Sequence, residues 1–157
     1  MDQDKRFMEQ ALKQAQQGLA LGHGGPFGAV VVLQNQIIGE GWNQVVHLND
    51  PTAHAEIQAI RNACQHQQNF HLAGAVLYTT CEPCPMCLSA AYWARIERLV
   101  YAANAEDAAV SGFDDNLIAV ELCKPPEERL IPSRQIMRDA SLQLFKAWQS
   151  SDQRTEY

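Results

Sequence analysis

Two short motifs about thirty residues apart constrain this chain more than any other feature of its sequence. The first is Thr52-Ala53-His54-Ala55-Glu56, and the second is Cys81-Glu82-Pro83-Cys84-Pro85-Met86-Cys87. Cys84 and Cys87 stand at i and i+3, so their thiolates would share one face of a first helical turn. Together with His54 they offer one imidazole and two thiolates, a set that suits zinc better than calcium or magnesium. The fold is therefore expected to bring both motifs together around one metal ion.

The number of ligands distinguishes a catalytic zinc site from a structural one. Structural sites close with a fourth protein ligand, whereas three ligands leave a position for water. Glu56 stands two residues after His54, where a carboxylate can hold that water and move its protons without binding the metal. Because i and i+2 point apart within a helix, this spacing predicts a helix start, with Thr52 as its cap. Pro83 favours the first position of the second helix, and both helix N-termini would direct partial positive charge at the site.

The combination H-x-E followed by P-C-x-x-C is the signature of zinc nucleobase deaminases. Each half alone has another explanation, since H-x-E is common on helix surfaces and C-x-x-C also occurs in redox and structural metal sites. Cys81 and Cys84 form a second C-x-x-C, and spacing alone does not choose between the pairs. We assign Cys84 and Cys87, because Glu82-Pro83 favours extended backbone and places Cys81 at the end of the preceding strand.

The composition limits the classes of protein and partner. A chain of 157 residues suits a single domain with a substantial core. Its five cysteines are an odd number with no apolar leader before them, which predicts reduced thiols in the cytoplasm. The formal net charge of −6 and the lack of a Lys/Arg-rich run argue against nucleic acid as a partner and favour a small neutral substrate. The longest apolar runs are too short to cross a membrane.

Hydrophobic periodicity predicts alternating helices and strands. Helical spacing predicts a helix over about 4–21, apolar runs predict strands over 27–33, 36–41, 75–80 and 98–103, and the two motifs open helices over about 53–65 and 84–94. Gln34-Asn35 would turn the first two strands into an antiparallel hairpin, whereas helical crossovers favour parallel pairing, so the fold is α/β with a mixed sheet. A last helix over 134–149, capped by Ser133, carries an apolar stripe for a core or a subunit interface.

Asn43 follows the second strand and is close in sequence to the first metal motif. Its amide has a donor and an acceptor, which can read the edge of a base. A turn asparagine that bonds its own backbone is the alternative interpretation.

With these motifs placed, the chain resembles the small bacterial guanine deaminases of the cytidine-deaminase-like superfamily over nearly its whole length. The segments that carry the resemblance are Gly24-Gly25-Pro26-Phe27-Gly28-Ala29, residues 49–56, Tyr92-Trp93-Ala94-Arg95, Gly112-Phe113-Asp114-Asp115 and Glu156-Tyr157. The resemblance implies a three-layer α/β/α fold with a five-stranded sheet, one catalytic zinc per subunit, and a homodimer in which the C-terminal segment is swapped. Residues 1–149 would form one deaminase domain, and residues 150–157 would be the tail that reaches the partner subunit.

The resemblance also implies a role for each candidate site residue. The metal ligands are His54, Cys84 and Cys87, the catalytic residue is Glu56, and the substrate-binding residues are Phe27, Asn43, Ala55, Trp93, Asp115 and Tyr157. Asn43 would hydrogen-bond the purine, while Phe27 and Trp93 would line or stack on it. Asp115, or the adjacent Asp114, would join Tyr157 in recognising its polar edge. The backbone N–H of Ala55, at a helix start, would help to orient the base.

The expected reaction is the hydrolytic deamination of guanine to xanthine and ammonia. The nearest alternative is an adenosine deaminase that acts on the tRNA wobble base, which predicts a basic surface that the sequence lacks. A zinc-stabilised binding module without catalysis is the other alternative. Zinc removal would unfold such a module, whereas it would leave the fold of an enzyme with a catalytic zinc largely intact.

Overall fold

The computed structural model describes residues 2–157, which divide into two compact units, one ending at Asp115 and the other running from Asn116 to Tyr157. The first unit contains helices α1 (Gln3–Leu21), α2 (Val45–Leu48), α3 (Ala55–Gln67), α4 (Pro85–Trp93) and α5 (Ala105–Val110), and strands β1 (Gly28–Leu33), β2 (Gln36–Trp42), β3 (Val76–Cys81) and β4 (Arg98–Ala103). The second contains α6 (Asn116–Leu122), a 3₁₀ turn (Pro126–Glu128) and α7 (Arg138–Gln149). Among these residues, none of the helices has both the length and the apolar character that a bilayer crossing requires.

The strands form one mixed sheet in the order β2-β1-β3-β4. β1 pairs antiparallel with β2 and β3, and β3 pairs parallel with β4. Gln34 and Asn35 have φ of 48° and 66°, the backbone that a two-residue hairpin needs between twisted strands. The α/β fold with a mixed sheet is confirmed. The expectation of five strands is not confirmed, because residues 2–157 form four strands and the chain after β4 continues into α5 and α6.

Both faces of the sheet are covered, α1 on one side and α3 and α4 on the other. Along β1, Val30 and Val32 pack with Phe7 and Tyr78 on the α1 side. The alternate residues Ala29 and Val31 pack on the opposite side with a cluster that includes Ala59, Leu77 and Ala91. Since a strand that is buried on both faces needs apolar residues at every position, β1 reads as a continuous apolar run.

Two glycines of β2 bring α3 unusually close to the sheet. A Cβ at Gly39 would lie 2.3 Å from the carbonyl oxygen of Ala59, and a Cβ at Gly41 would lie 2.6 Å from that of Ala55. Glycine, which has no Cβ, is used where two backbones approach this closely. The start of α3, directly after His54, is therefore held against the sheet by backbone contact.

The start of α1 is joined to the sheet by a polar cluster. Both carboxylate oxygens of Asp4 accept from the Arg98 guanidinium, at 2.9 and 2.8 Å, and Tyr78 donates its hydroxyl proton to Asp4 at 2.6 Å. These bonds hold the pKa of Asp4 well below its usual range. Burial, with the Asp4 bond, raises the pKa of Tyr78 to about 12. The cluster fixes the helix that covers one face of β1.

The second unit has its own hydrogen bonds but no buried residue. Glu121 accepts from Lys124 Nζ at 2.5 Å and from the Leu130 N–H at 2.6 Å. No residue from Asn116 to Tyr157 is buried. α7 begins at Arg138 rather than at residue 134, and Ser133 does not cap it. The reason is local, since Met137 adopts a left-handed backbone with φ 53° directly before the first turn.

Candidate metal centre and substrate cavity

The two metal motifs stand at two equivalent helix starts. His54 is the N-cap of α3, with φ −69° and ψ 156°, and Cys84 is the N-cap of α4, with φ −62° and ψ 166°. This corrects two expectations. Thr52 does not cap α3 but donates its hydroxyl to Asp50 at 2.7 Å, and Pro85 rather than Pro83 opens α4. In both helices the extended N-cap residue itself is the candidate ligand.

The three candidate ligands lie at zinc-binding distances from one another. His54 Nδ1 is 3.6 Å from Cys84 Sγ and 3.5 Å from Cys87 Sγ, and one ligand atom of each residue lies within 4.8 Å of the others. Zinc bonds of about 2.0–2.1 Å to nitrogen and about 2.3 Å to sulfur, at a tetrahedral angle, place N and S about 3.6 Å apart. The donor set and its spacing therefore fit a zinc ion.

Cys81 stays outside this group, as expected. It is the last residue of β3 and is buried. Its Sγ lies 3.6 Å from the carbonyl oxygen of Asn104, to which it donates. The second C-x-x-C pair, Cys81 with Cys84, does not form the cluster.

The site favours a negatively charged sulfur beside the imidazole. A hydrogen bond from Cys87, reinforced by His54, lowers the pKa of Cys84 to about 4. The same bond and burial raise the pKa of the Cys87 thiol, and the bond to Cys84 raises the pKa of His54. Thiolate is the form of cysteine that binds metals. The electrostatics therefore favour this form at Cys84.

Glu56 lies in the first turn of α3, beside the candidate ligands but not among them. It is 6% exposed, and this burial raises the pKa of its carboxyl group. A buried carboxyl group with a raised pKa is suited to exchange protons.

A cavity opens onto His54, Glu56 and Cys84. Its volume is about 250 Å³, below the roughly 300–1,000 Å³ of typical sites for drug-sized ligands. It suits one small ring system. The residues that line it are Phe27, Asn43, His54, Glu56, Cys81, Glu82, Cys84, Ala108, Gly112, Phe113, Asp114 and Asp115.

Three of the six substrate-binding candidates from the sequence meet at this cavity. Phe27, Asn43 and Asp115 line it together with the candidate ligands His54 and Cys84. Asp114 lines it as well, so the structure does not choose between the two aspartates. Burial, with the charge of Cys84 nearby, raises the pKa of Asp115. Ala55 is buried at the first position of α3, where its side chain does not reach the cavity.

Trp93 and Tyr157 are also not among the residues that line the cavity. Trp93 is the last residue of α4, at the opposite end from Cys84, and is 62% exposed. Tyr157 belongs to the second unit and is also exposed. Their roles in substrate binding stay predictions.

Asn43 combines the two interpretations of its sequence position. It is 6% exposed and lines the cavity. Its Oδ1 accepts from the Val45 N–H at 3.2 Å, which is the local bond of a turn asparagine. Because the oxygen is used in this way, the amide nitrogen is the group left for a ligand.

Two further cavity residues had no role assigned from the sequence. Phe113 packs edge-on against Phe27, with ring centroids 4.9 Å apart. Glu82 accepts from the Ala105 N–H at 3.1 Å and so ties the end of β3 to the start of α5. The segment Gly112-Phe113-Asp114-Asp115 contained the signal for Phe113, an aromatic residue beside an acidic pair.

The candidate ligands at two helix starts, with a buried glutamate beside them, match the pattern of the zinc-dependent nucleobase deaminases. The comparison with known families agrees. The profile of the cytidine and deoxycytidylate deaminase zinc-binding region matches residues 1–103, and the chain belongs to this family.

Several known proteins are similar to the chain. Guanine deaminase of Bacillus subtilis is 50% identical over 151 residues, which cover 96% of this chain and 97% of that protein. An X-ray structure of guanine deaminase from Bacillus subtilis superposes with a TM-score of 0.93, at 49% identity and with 98% of each chain covered. The tRNA-specific adenosine deaminase of Haemophilus influenzae is 45% identical over 118 residues, or 71% of this chain and 68% of that protein. The resemblance to guanine deaminases is confirmed.

Proposed function

We propose that the protein deaminates guanine hydrolytically, giving xanthine and ammonia. The observation that carries the proposal is the similarity to Bacillus subtilis guanine deaminase, at 50% identity across 96% of the chain. The tRNA-specific adenosine deaminase of Haemophilus influenzae matches a shorter part, 71% of the chain. The cavity supports the same conclusion, because it places aromatic, amide and carboxylate side chains beside the candidate zinc ligands.

The chemistry requires an activated water and a proton carrier. Zinc held by His54, Cys84 and Cys87 would activate a water molecule for attack on the ring carbon that bears the exocyclic amine. Glu56 would accept a proton from that water and deliver it to the adjacent ring nitrogen. It would then transfer the second proton to the amine, so that the carbon–nitrogen bond breaks and ammonia leaves. The burial of Glu56 keeps bulk water from competing for these protons.

Recognition of the base would use donors and acceptors in fixed positions. Asn43 would donate from its amide nitrogen to an acceptor of the purine, and Asp115 would accept from ring or amino N–H groups. Phe27 would pack on the ring, with Phe113 behind it at 4.9 Å. The N–H of Ala55, at the start of α3, would help to hold the base in place.

We infer that the active form is a homodimer in which the C-terminal segment crosses to the partner and one zinc is bound per subunit. The second unit supports this inference, since it buries no residue yet exposes many large apolar side chains: Leu117, Ile118, Val120, Leu122, Leu130, Ile131, Ile136, Met137, Leu144, Phe145 and Trp148. Apolar surface of this extent requires a partner. In such a dimer, residues 1–149 form the deaminase domain, and Tyr157 from the tail 150–157 helps to close the neighbouring site. Trp93 would line or stack on the base, and a segment outside β1–β4 would supply the fifth strand.

A cytoplasmic location is part of the same proposal. All five cysteines are free thiols. A reducing compartment keeps the zinc-binding thiols available.

The test is a parallel assay of ammonia release by the purified zinc protein. Guanine, adenine, cytosine, cytidine and a tRNA anticodon stem-loop are supplied separately at equal concentration. We expect turnover of guanine alone. Turnover of the stem-loop with guanine untouched would preserve the zinc chemistry but replace the proposed substrate with a wobble adenosine.

A further inference from the structure

His23 accepts a side-chain hydrogen bond that shows which of its ring nitrogens carries the proton in the neutral ring. The residue precedes Gly24, and its Nδ1 lies 3.1 Å from Nε1 of Trp42. An indole N–H can only donate. The Nδ1 atom of His23 is therefore an unprotonated acceptor, and in the neutral ring the proton is on Nε2.

The backbone and ring of His23 also hold the start of α2. Its carbonyl oxygen accepts from the N–H groups of Val46 and His47, both at 3.1 Å. These are first-turn N–H groups, which have no partner within their own helix. In addition, the His23 ring stacks on that of His47, with centroids 4.0 Å apart and planes 11° from parallel.

These contacts lie on both sides of Asn43. Trp42 precedes Asn43, and Val45, whose N–H donates to Asn43 Oδ1, opens α2. Gly24 packs closely against the Asn43 side chain, because a Cβ on it would lie only 2.0 Å from Asn43 Oδ1. A shift of the segment 23–24 would therefore move the asparagine side chain.

We propose that His23 is a positioning residue for Asn43. By holding Trp42 through Nδ1 and the start of α2 through its carbonyl oxygen, it keeps Asn43 Oδ1 on the Val45 N–H and the amide nitrogen available to the cavity. His23, Trp42 and His47 are not among the residues that line the cavity, so His23 acts through Asn43. The proposal deepens the proposed function and rests on it only in taking the bound ring to be guanine.

The first experiment compares two substitutions of similar size and shape, only one of which keeps a hydrogen-bond acceptor. In His23→Asn, the side-chain oxygen can stand where Nδ1 stood and accept the Trp42 N–H, whereas His23→Leu removes the acceptor. For His23→Leu we expect the KM for guanine to rise about tenfold, the size of one lost hydrogen bond, with kcat within about threefold. His23→Asn should stay within about threefold of the wild-type KM, and so should the control His66→Leu at an exposed site of α3. A wild-type KM in folded His23→Leu, or equal losses in both His23 variants, would overturn the proposal.

A double-mutant cycle tests whether the Trp42 bond carries the effect. Trp42→Phe removes the donor, so His23→Leu should raise KM much less in that background than alone. Full additivity of the two substitutions would refute coupling through this bond.

A third measurement does not depend on turnover. ¹⁵N NMR of the histidine rings should show His23 with an unprotonated Nδ1 and a protonated Nε2, and the Asn43 side-chain amide signal should shift in His23→Leu but not in His23→Asn. A protonated Nδ1 in the neutral ring, or an unmoved amide signal in His23→Leu, would overturn the proposal. If the wild-type protein does not turn over guanine, the proposed function fails, and these signals still decide the role of His23. If His23→Leu does not fold, Trp42→Phe gives the same test of the amide signal.

Discussion

Both units of the molecule contain large apolar residues, but only the first unit buries them. Every buried side chain of residues 2–157 lies between Phe7 and Ala94, within the first unit. The second unit has an amphipathic helix, α7, in which Leu144, Phe145 and Trp148 are exposed and Leu142 is half-buried. Periodicity therefore predicts a helix equally well in both units. It does not reveal whether the apolar face is covered by the same unit.

The two units also differ in the functional groups that they contain. All residues that line the cavity belong to the first unit, which has its own core. The second unit contains no candidate metal ligand and satisfies its polar groups locally, as at Glu121. The fold of the first unit should thus tolerate loss of the metal. The exposed apolar residues of the second unit should make its state depend on protein concentration.

Zinc removal gives the largest expected effect. We expect a chelator to abolish ammonia release while the far-UV circular dichroism changes little, because α3 and α4 are packed on the sheet by their own apolar faces. Activity should return when zinc is added. A collapse of the helical signal on chelation would show instead that the first unit depends on its metal for folding.

Glu56→Gln should lower kcat by about 10²–10⁴-fold, the usual contribution of a general acid–base group, with zinc content unchanged. The measurement pairs steady-state kinetics with metal analysis. Glu82→Gln is the matched control, since glutamine can still accept the Ala105 N–H, and we expect its kcat to stay within about tenfold. A near-normal kcat in Glu56→Gln would remove this residue from the mechanism.

The same substitution in each unit tests the comparison directly. Leu77 is fully buried in the core, so Leu77→Ala should lower the unfolding free energy by about 2–5 kcal/mol. Leu144 is 72% exposed, so Leu144→Ala should cost under about 1 kcal/mol in a single chain but weaken the proposed dimer. Urea denaturation and sedimentation at several protein concentrations measure both. If Leu144→Ala leaves the association unchanged, α7 does not belong to the subunit interface.

Asp4→Asn gives the smallest effect and tests how α1 is fixed to the first unit. The Arg98 and Tyr78 bonds lower the pKa of Asp4 in the folded protein, whereas an unfolded aspartate has a pKa of about 3.9. The stabilisation by this carboxylate is thus fully present above pH 4 and is lost as the pH falls through the lower folded pKa. The stability difference between wild type and Asp4→Asn should shrink between pH 5 and pH 2 in urea titrations. An equal difference at both pH values would show that the charge of Asp4 is not what matters.

Several elements were predictable because their signals were local and repeated. The apolar run of β1, the hairpin at Gln34-Asn35 and the spacing of the ligand motifs gave the sheet and the metal cluster. The helix starts were less predictable, because neighbouring residues compete for the same capping position. Pro85 rather than Pro83 opened α4, and Met137 set a late start for α7.

Other features had no signal that a single sequence could provide. α2 and α5 are only four and six residues long, too short for periodicity to reveal. Phe113 reaches the cavity through a contact with Phe27, which is distant in sequence. The roles of Trp93 and Tyr157 in substrate binding stay predictions, because neither residue lines the cavity.

The glycines of β2 make the metal centre sensitive to changes that never touch it. Gly41 abuts the Ala55 carbonyl, one residue after the ligand His54, and Gly39 abuts the next turn of α3. One added methyl group at either glycine would act as a spacer that lifts α3 from the sheet and moves the imidazole away from the two sulfurs. Because a zinc site needs ligand distances within about 0.2 Å of their ideal values, such a shift would be expected to weaken metal binding.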